Sequence, residues 1–371
     1  MDKRRIICLC TTYFQLITAI QMRRTLFSED YFDIVITDGS NKAQQYSEKL
    51  REMKIFDEVF FVTRARDSQE GFSSIGSKIS RFCNYFVKGS YVSYLKHPYD
   101  LFLSYSFYWY SFMLFNALEQ DNHNIKVAKY EEGLISYYVD DHRFEYDYFL
   151  KIRKIKRFLH QPLMFDRHKD FYCFYPDFYE GNLNPVRIPA IDREDREFRD
   201  ILCTMFDVDP DKLRYDKKFI YFASMLDTEI IPDKREEFGI VKDIVEIVGK
   251  ENVMVKLHPR ESDPQRFSEL GVTIDENSDI PFEVVQLVRD FSDNVFITCL
   301  SGSVINFASV LPERTKTYLT YGMLPEKIEV IETFCNMYDK TIANMEKVTG
   351  SRDYIVLNSK EEMKKELEGY L

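Results

Sequence analysis

An apolar run that ends in a histidine and a proline lies in the second half of the chain: Val253-Met254-Val255-Lys256-Leu257-His258-Pro259-Arg260. Its length and boundaries predict a short buried strand, and the proline restricts the backbone just behind the histidine. In open α/β sheets, ligands bind beyond the carboxyl ends of the strands. His258 is therefore predicted to lie where chemistry takes place, although the backbone can also satisfy a histidine in a purely structural role.

Strand and helix patterns alternate on both sides of this run. The predicted strands are 6–10, 32–36, 59–62, 100–103 and 125–130 in the first half and 219–223, 253–257, 295–300 and 317–319 in the second. The predicted helices include 146–159, 194–206, 234–248, 282–291 and 304–310. This alternation predicts parallel sheets covered by crossover helices. A turn-rich stretch, 181–189, separates the halves, so we expect two Rossmann-like α/β domains, residues 1–185 and 186–371, facing each other across a cleft.

The bulk composition limits the class of protein. A chain of 371 residues exceeds what one hydrophobic core usually serves, which agrees with two domains. With 50 basic and 61 acidic residues the net charge is -11, which argues against nucleic acid as a partner. Seven scattered cysteines without metal-ligand spacing indicate reduced thiols in a cytoplasmic protein.

Two features of the sequence bear on whether the protein spans or contacts a membrane. The apolar run near the start ends at Thr11, too early for a signal peptide or a membrane span, and no later window is long enough, so we expect a protein that is soluble or at most peripheral. The helix 146–159 is basic and amphipathic. Such a helix can lie on an anionic membrane at the inner face, or it can simply present a solvated charged face.

Three polar motifs directly follow predicted strands: Glu131-Glu132-Gly133, His258-Pro259-Arg260 and Ser301-Gly302-Ser303. In the third, hydroxyls and backbone N–H groups precede a predicted helix, and the small Gly302 lets an anion approach the backbone. The sequence therefore indicates either a phosphate site or a simple helix-capping turn.

Two carboxylates, Asp227 and Glu283, are candidates for the same site as these motifs. Asp227 follows the strand 219–223, so it is expected on the same rim as His258. Glu283 begins a predicted helix, where it can bind ribose hydroxyls or serve only as a helix N-terminal acid. Asp233, Glu236 and Glu237 are nearby alternatives to Asp227, although their positions favour first-turn helix acids.

These motifs, with the opening Cys10-Thr11-Thr12-Tyr13-Phe14-Gln15-Leu16, resemble bacterial sialyltransferases, most closely glycosyltransferase family 52, which includes lipooligosaccharide sialyltransferases. The acidic-acidic-glycine, His-Pro and Ser-rich motifs of the family match Glu131 to Gly133, Lys256 to Arg260 and Ser301 to Ser303. The resemblance spans nearly the whole chain.

The resemblance implies a GT-B fold, CMP-sialic acid as donor, a glycan acceptor, no cofactor, and inversion without a metal. On this resemblance His258 is the general acid and Asp227 is the base. The aspartate of the family lies closer in sequence to its histidine than Asp227 does to His258, so this match requires an insertion. Glu132 is the alternative base. The implied donor-binding residues are Lys256, Pro259, Arg260, Glu283, Ser301, Gly302 and Ser303. Glu131 and Gly133 are further candidates, and homodimers occur in the resembled family.

The residue types agree with this chemistry. CMP leaves as a phosphate monoester with about two charges, so an imidazolium and backbone donors can replace a divalent cation. The Asp-x-Asp present, Asp207-Val208-Asp209, precedes Pro210 and is interpreted as a turn.

The sequence is compatible with three functions. The leading one is a sialyltransferase that acts on a terminal galactose of a surface glycan. The others are a GT-B transferase with another nucleotide-activated donor, and a non-catalytic protein that binds nucleotides or glycans.

Overall fold

The structure is a computed structural model. It describes residues 3–39, 42–63, 83, 86–89, 92–105, 109–138, 147–224, 235–258, 261, 263, 265–306, 315–324, 329–350 and 352–371. The chain divides into two compact units, Met1–Pro189 and Ala190–Leu371, and each is built on its own parallel sheet. The division falls at the end of the turn-rich stretch 181–189.

Seven parallel strands form the sheet of the N-terminal unit. They are β1 (Arg5–Cys10), β2 (Tyr31–Thr37), β3 (Val59–Val62), β4 (Leu101–Ser104), β5 (Lys126–Tyr130), β6 (His168–Cys173) and β7 (Asn184–Arg187). Their order, β3-β2-β1-β4-β5-β6-β7, reverses direction at β1. Apolar residues of β1 are buried without alternation, which is typical of a parallel strand covered by helices on both faces.

The helices of the N-terminal unit are α1 (Tyr13–Arg24), α2 (Ala43–Met53), α3 (Trp109–Asp121), α4 (Ile135–Tyr138), α5 (Asp147–Phe158) and α6 (Met164–Arg167). α1 starts immediately after β1 because the Thr12 hydroxyl accepts a hydrogen bond from the Gln15 N–H at 3.3 Å. α3, α5 and α6 contribute apolar side chains to one core that also contains Phe102 of β4.

Six parallel strands form the sheet of the C-terminal unit. They are β8 (Phe219–Phe222), β9 (Val253–Lys256), β10 (Thr273–Ile274), β11 (Val295–Thr298), β12 (Lys316–Leu319) and β13 (Tyr354–Val356). The order β10-β9-β8-β11-β12-β13 is that of Rossmann dinucleotide-binding domains, with the reversal between β8 and β11. The expected two-Rossmann architecture is confirmed.

The helices of the C-terminal unit are α7 (Arg196–Phe206), α8 (Arg235–Val248), α9 (Phe282–Val288), α10 (Ser303–Asn306), α11 (Glu329–Thr349) and α12 (Lys360–Glu368). α12 begins after Ser359, whose hydroxyl caps the helix by accepting a hydrogen bond from the Glu362 N–H at 3.1 Å. Of the expected helix 304–310, residues 307–310 lie outside the described residues.

Several elements were not predicted: β6, β7, β10, β13 and α11. β7 lies inside the stretch 181–189, which the sequence predicts to be a linker. Its Pro185 pairs with Phe171 at the edge of the sheet, where a missing N–H is tolerated. β10 and β13 are also edge strands, which are short and only partly buried, and so give weak hydrophobic patterns.

An aromatic cluster packs α9 against the sheet of the C-terminal unit. Phe282 is 1% exposed. Its ring centroid lies 4.4 Å from that of Phe222, 5.4 Å from that of Phe296 and 5.3 Å from that of Phe291. These rings meet edge-on or tilted, which is the favourable geometry for aromatic pairs. The cluster fixes the start of α9 beneath the carboxyl edge of the sheet.

We expect Phe282→Ala to lower the free energy of unfolding by about 3–5 kcal/mol, because it leaves a cavity among three rings. Urea unfolding followed by circular dichroism measures the loss. Phe158→Ala is the matched control: Phe158 is 82% exposed, so its loss should change stability by less than about 0.5 kcal/mol. Equal effects of the two substitutions would contradict the assigned core.

Candidate functional site

The carboxyl ends of β9, β8 and β11 form one edge of the C-terminal sheet, beside the point where the strand order reverses. Ligands of open α/β sheets bind at such an edge. His258 follows β9, Ser224 follows β8, and Ser301 follows β11. Because neighbouring strands are about 4.8 Å apart, the ends of β9 and β11 are separated by about 10 Å, which a nucleotide can span.

The loops after β8 and β11 are joined by a hydrogen bond. The Leu300 N–H donates to the Ser224 hydroxyl at 2.7 Å, and the Thr298 hydroxyl donates to the Phe222 carbonyl at 2.8 Å. The Ser301 N–H in turn donates to the Thr298 hydroxyl at 2.9 Å. The start of the Ser301-Gly302-Ser303 turn is therefore fixed to β8 as well as to its own strand.

Glu237, near the start of α8, is fully buried below the end of β8. Its carboxylate accepts hydrogen bonds from the Ser224 N–H at 2.8 Å and the Tyr221 hydroxyl at 3.0 Å. Glu237 Oε2 accepts no hydrogen bond from the described residues but lies 3.0 Å from Nη2 of Arg266, which makes an ion pair. Burial raises the pKa of Glu237, while the Arg266 guanidinium opposes that rise.

Arg266 also reaches the turn that carries His258. Its Nη1 lies 3.4 Å from Oε2 of Glu261, and the Glu261 N–H donates to the His258 carbonyl at 2.9 Å. A chain of polar contacts thus connects the loop after β8 with the His-Pro turn. The sequence favours a first-turn helix acid at Glu237 and gives no signal for Arg266, because nothing in the primary structure pairs the two residues.

His258 lies partly buried just past β9. The preceding Leu257 is held by its N–H, which donates to the Ser278 hydroxyl at 3.1 Å. Pro259 and Arg260, and likewise Asp227, lie outside the described residues. Their roles stay predictions.

Lys256, the last residue of β9, is buried in an ion pair. Its Nζ lies 3.2 Å from Oδ2 of Asp275 and 3.2 Å from the Asn277 carbonyl, and the Tyr215 hydroxyl donates to the same Asp275 oxygen at 2.6 Å. Burial lowers the pKa of Lys256, and Asp275 counteracts this. In this arrangement Lys256 anchors the 275–277 loop; a direct contact with a donor stays a prediction.

Glu283 lies in the first turn of α9 and is 6% exposed. Burial raises the pKa of its carboxyl to about 7, against the opposing effects of its own backbone N–H and the Lys256 charge. A buried carboxyl that titrates near neutral pH can accept or donate a hydrogen bond to a hydroxyl. The ribose contact predicted for Glu283 is chemically suited to this environment.

The Ser301-Gly302-Ser303 turn leads directly into α10. Ser301 is 7% exposed, whereas Gly302 and Ser303 are partly exposed. The Gly302 carbonyl accepts from the Ile305 N–H at 3.0 Å, so the turn is also the start of the helix. Both interpretations from the sequence, a capping turn and an anion contact, are compatible with these positions.

The Glu131-Glu132-Gly133 motif follows β5 in the N-terminal unit. Glu131 is 1% exposed, and its Oε2 accepts hydrogen bonds from the Tyr137 hydroxyl and from the Phe174 N–H at 2.8 Å. Gly133 has a φ of 96°, a conformation that favours glycine. Glu132 is more exposed, and its N–H donates to the Ser136 hydroxyl at 2.8 Å. The first carboxylate thus braces the loop, and the second is the more accessible.

Asp207 and Asp209 form a turn, as expected from the sequence. Asp207 ends α7 with a φ of 57°, and Asp209 caps a short 3-10 turn by accepting from the Asp211 N–H at 3.2 Å. Its other oxygen lies 2.9 Å from Lys212 Nζ, and the hydrogen bond with that lysine lowers the pKa of Asp209.

Solved structures with the same fold cover nearly the whole chain. UDP-GlcNAc 2-epimerase from Methanocaldococcus jannaschii has 12% identity and a TM-score of 0.52, over 98% of this chain and 92% of that one. The enzyme of the same name from Neisseria meningitidis, bound to UDP-GlcNAc, has 9% identity and a TM-score of 0.50, over 98% of each chain. MurG from Acinetobacter baumannii has 9% identity and a TM-score of 0.47, over 99% of this chain and 89% of that one.

Two Rossmann-like units and the likeness to the two epimerase structures define a protein of the GT-B fold. Residues 6–320 match the α-2,8-polysialyltransferase (POLYST) family, and the chain belongs to that family. It is a glycosyltransferase of the sialyltransferase class, so the resemblance to bacterial sialyltransferases is confirmed; glycosyltransferase family 52 stays a prediction. No curated protein matches the chain.

No helix in the described part of the chain is both long enough and apolar enough to cross a bilayer.

The raised pKa of Glu283 predicts a pH-dependent stability. The folded-state value of about 7 exceeds the ordinary 4.5, so the protonated carboxyl favours folding. Its contribution is complete below about pH 4.5 and is lost as the pH rises through about 7, a change of about 3 kcal/mol. We expect Glu283→Gln, which mimics the protonated form, to reduce this loss.

Urea unfolding at about pH 5 and about pH 8 measures the difference. Glu269→Gln, which changes an exposed carboxylate of the same unit, serves as the control and should leave the pH dependence unchanged. An identical pH dependence in the wild type and in Glu283→Gln would contradict the prediction.

Proposed function

We propose that this chain is an inverting, metal-independent sialyltransferase that transfers sialic acid from CMP-sialic acid to a bacterial surface glycan at the cytoplasmic side of the membrane. The observation that carries the proposal is the family match over residues 6–320, which includes all three polar motifs. The shared sheet edge of His258 and Ser301 supports a donor site in the C-terminal unit.

In the proposed reaction the acceptor hydroxyl attacks the anomeric carbon of sialic acid while Asp227 takes its proton. The bond between that carbon and the CMP phosphate oxygen breaks, and protonated His258 donates its proton to the leaving phosphate. One glycosidic bond forms as the bond to the phosphate oxygen breaks. Attack from the face opposite the leaving group inverts the configuration of the anomeric carbon.

Donor binding in this proposal uses the turn after β11 and the start of α9. Ser301 and Ser303 donate hydrogen bonds to the phosphate, the flexible backbone of Gly302 lets it approach, and Glu283 binds the ribose hydroxyls. Burial raises the pKa of the Glu283 carboxyl, and the Lys256 charge opposes this rise. In this proposal Lys256, Pro259 and Arg260 complete the donor side.

Two acceptors are in competition. The resemblance led us to expect a terminal galactose. The family description, α-2,8-polysialyltransferase, favours a terminal sialic acid instead. Incubation of the purified chain with CMP-sialic acid and either lactose or an α2,8-linked sialic acid oligomer, followed by mass spectrometry, distinguishes them. Release of CMP with neither acceptor extended would leave hydrolysis as the measured activity and contradict both.

The donor site should recognise the cytidine monophosphate. We expect CMP to raise the melting temperature of the chain more than UDP does, because a second phosphate has no place in a site built for a monoester. Ser303→Ala should weaken CMP-sialic acid binding, measured by calorimetry. Equal shifts with both nucleotides would favour another donor, and unchanged affinity in Ser303→Ala would remove that hydroxyl from the site.

Kinetic measurements on substituted variants should test the roles of the proposed catalytic residues. His258→Ala and Asp227→Asn are each expected to reduce turnover by on the order of a hundredfold or more, because each removes a proton transfer, and Asp227→Asn should leave CMP affinity nearly intact. Reactions run with and without EDTA should proceed at the same rate.

Glu132→Gln tests the alternative base. Full activity in Asp227→Asn together with loss in Glu132→Gln would move the base to Glu132. Normal activity in His258→Ala would contradict the proposed acid, and loss of activity with EDTA would contradict metal independence.

A further inference from the structure

The end of α5 exposes three bulky apolar side chains. Phe158 is 82% exposed, Leu159 51% and Ile155 37%. They are spaced i, i+3 and i+4, and the N–H of Leu159, the first residue after α5, still donates to the Ile155 carbonyl at 2.9 Å, so the three side chains form one stripe. A single exposed apolar residue is ordinary on a protein surface, but a contiguous group of this kind marks an interaction surface.

The backbone at this helix end is fixed. The Gln161 N–H donates to the Lys156 carbonyl at 2.8 Å, and the His160 N–H donates to the Arg157 carbonyl at 3.1 Å. His160 between them has a φ of 55°. This is the Schellman arrangement that ends helices, so Phe158 and Leu159 are presented from an ordered turn.

The opposite face of α5 is anchored in the N-terminal unit. Ile152 is 5% exposed and belongs to the apolar core, and the Lys156 ammonium donates to Asn116 Oδ1 at 3.0 Å. Burial lowers the pKa of Lys156 to about 8. The Phe86 ring lies 6.0 Å from Lys156 Nζ, and Val87, next in the chain, is 60% exposed. The stripe therefore stands on a rigid support.

The charge around the stripe is positive in an otherwise acidic chain. Residues 148–165 contain five lysines and arginines and no aspartate or glutamate, whereas the whole chain has a net charge of -11. Lys154 and Arg157 are exposed, and neither forms an ion pair with a residue in the described part of the chain. Their charges remain available to an external anion.

We propose that Ile155, Phe158 and Leu159, with Lys154 and Arg157 beside them, form a docking surface for an anionic membrane. The apolar stripe enters the boundary between headgroups and acyl chains, and the cations contact lipid phosphates. A polyanionic glycan would use the cations but would leave three apolar side chains in water, so the composition favours lipid. The inference does not depend on the identity of the sugar donor.

Flotation of the full chain with phosphatidylglycerol-containing vesicles, compared with pure phosphatidylcholine vesicles, tests this surface. We expect binding to the anionic vesicles that weakens with added salt. The variant Arg157→Gln/Phe158→Ser should bind on the order of tenfold or more weakly, because it loses one cation and the most exposed ring. Transfer to a water-soluble acceptor should be unaffected.

The last turn of α11 provides the matched control. Lys347→Gln/Val348→Ser removes a cation and an adjacent exposed apolar side chain, with Val348 55% exposed, from the other unit. This control should float like the wild type. The proposal is overturned if the wild type fails to float, if both double variants float equally, or if the α5 variant loses retention on immobilised polysialic acid while its vesicle binding is unchanged.

Discussion

The ion pair between Glu237 and Arg266 connects the loop after β8 with the turn after β9 at the carboxyl edge of the C-terminal sheet. Glu237 holds the loop after β8 through the Ser224 N–H, and Arg266 extends the contact to Glu261 in the turn of His258. Neither charge could be buried alone, because an unpaired buried charge costs several kcal/mol. The pair therefore forces two segments, distant in the chain, to keep one arrangement beside the candidate site.

Charge pairing also explains how an acidic protein can offer an edge suited to an anion. Arg266 neutralises Glu237, Lys256 neutralises Asp275, and the Glu283 carboxyl is held near the point of protonation by burial. Pairing and burial thus reduce the negative charge that these carboxylates present to a phosphate. Backbone N–H groups and hydroxyls after β11, together with an imidazole after β9, fit the requirements of the proposed CMP leaving group.

The two glutamates of the N-terminal motif show how burial divides roles between adjacent identical residues. Glu131 has its carboxylate bound to Tyr137 and the Phe174 N–H, so it orders the loop that follows β5. Glu132 presents more surface to solvent. The two carboxylates are adjacent in the sequence but differ in burial, so the motif alone does not distinguish their roles.

The sequence was sufficient for the strand-and-helix alternation, the two Rossmann-like units, and the positions of His258 and Ser301-Gly302-Ser303 after their strands, because buried parallel strands have strong local hydrophobic patterns. The edge strands β7, β10 and β13 could not be predicted from the sequence, because partial burial weakens their hydrophobic patterns. The Glu237–Arg266 pair, the sequestering of Lys256 by Asp275, and the near-neutral titration of Glu283 emerged only after folding. Each depends on long-range proximity and on removal from water, which no local pattern encodes.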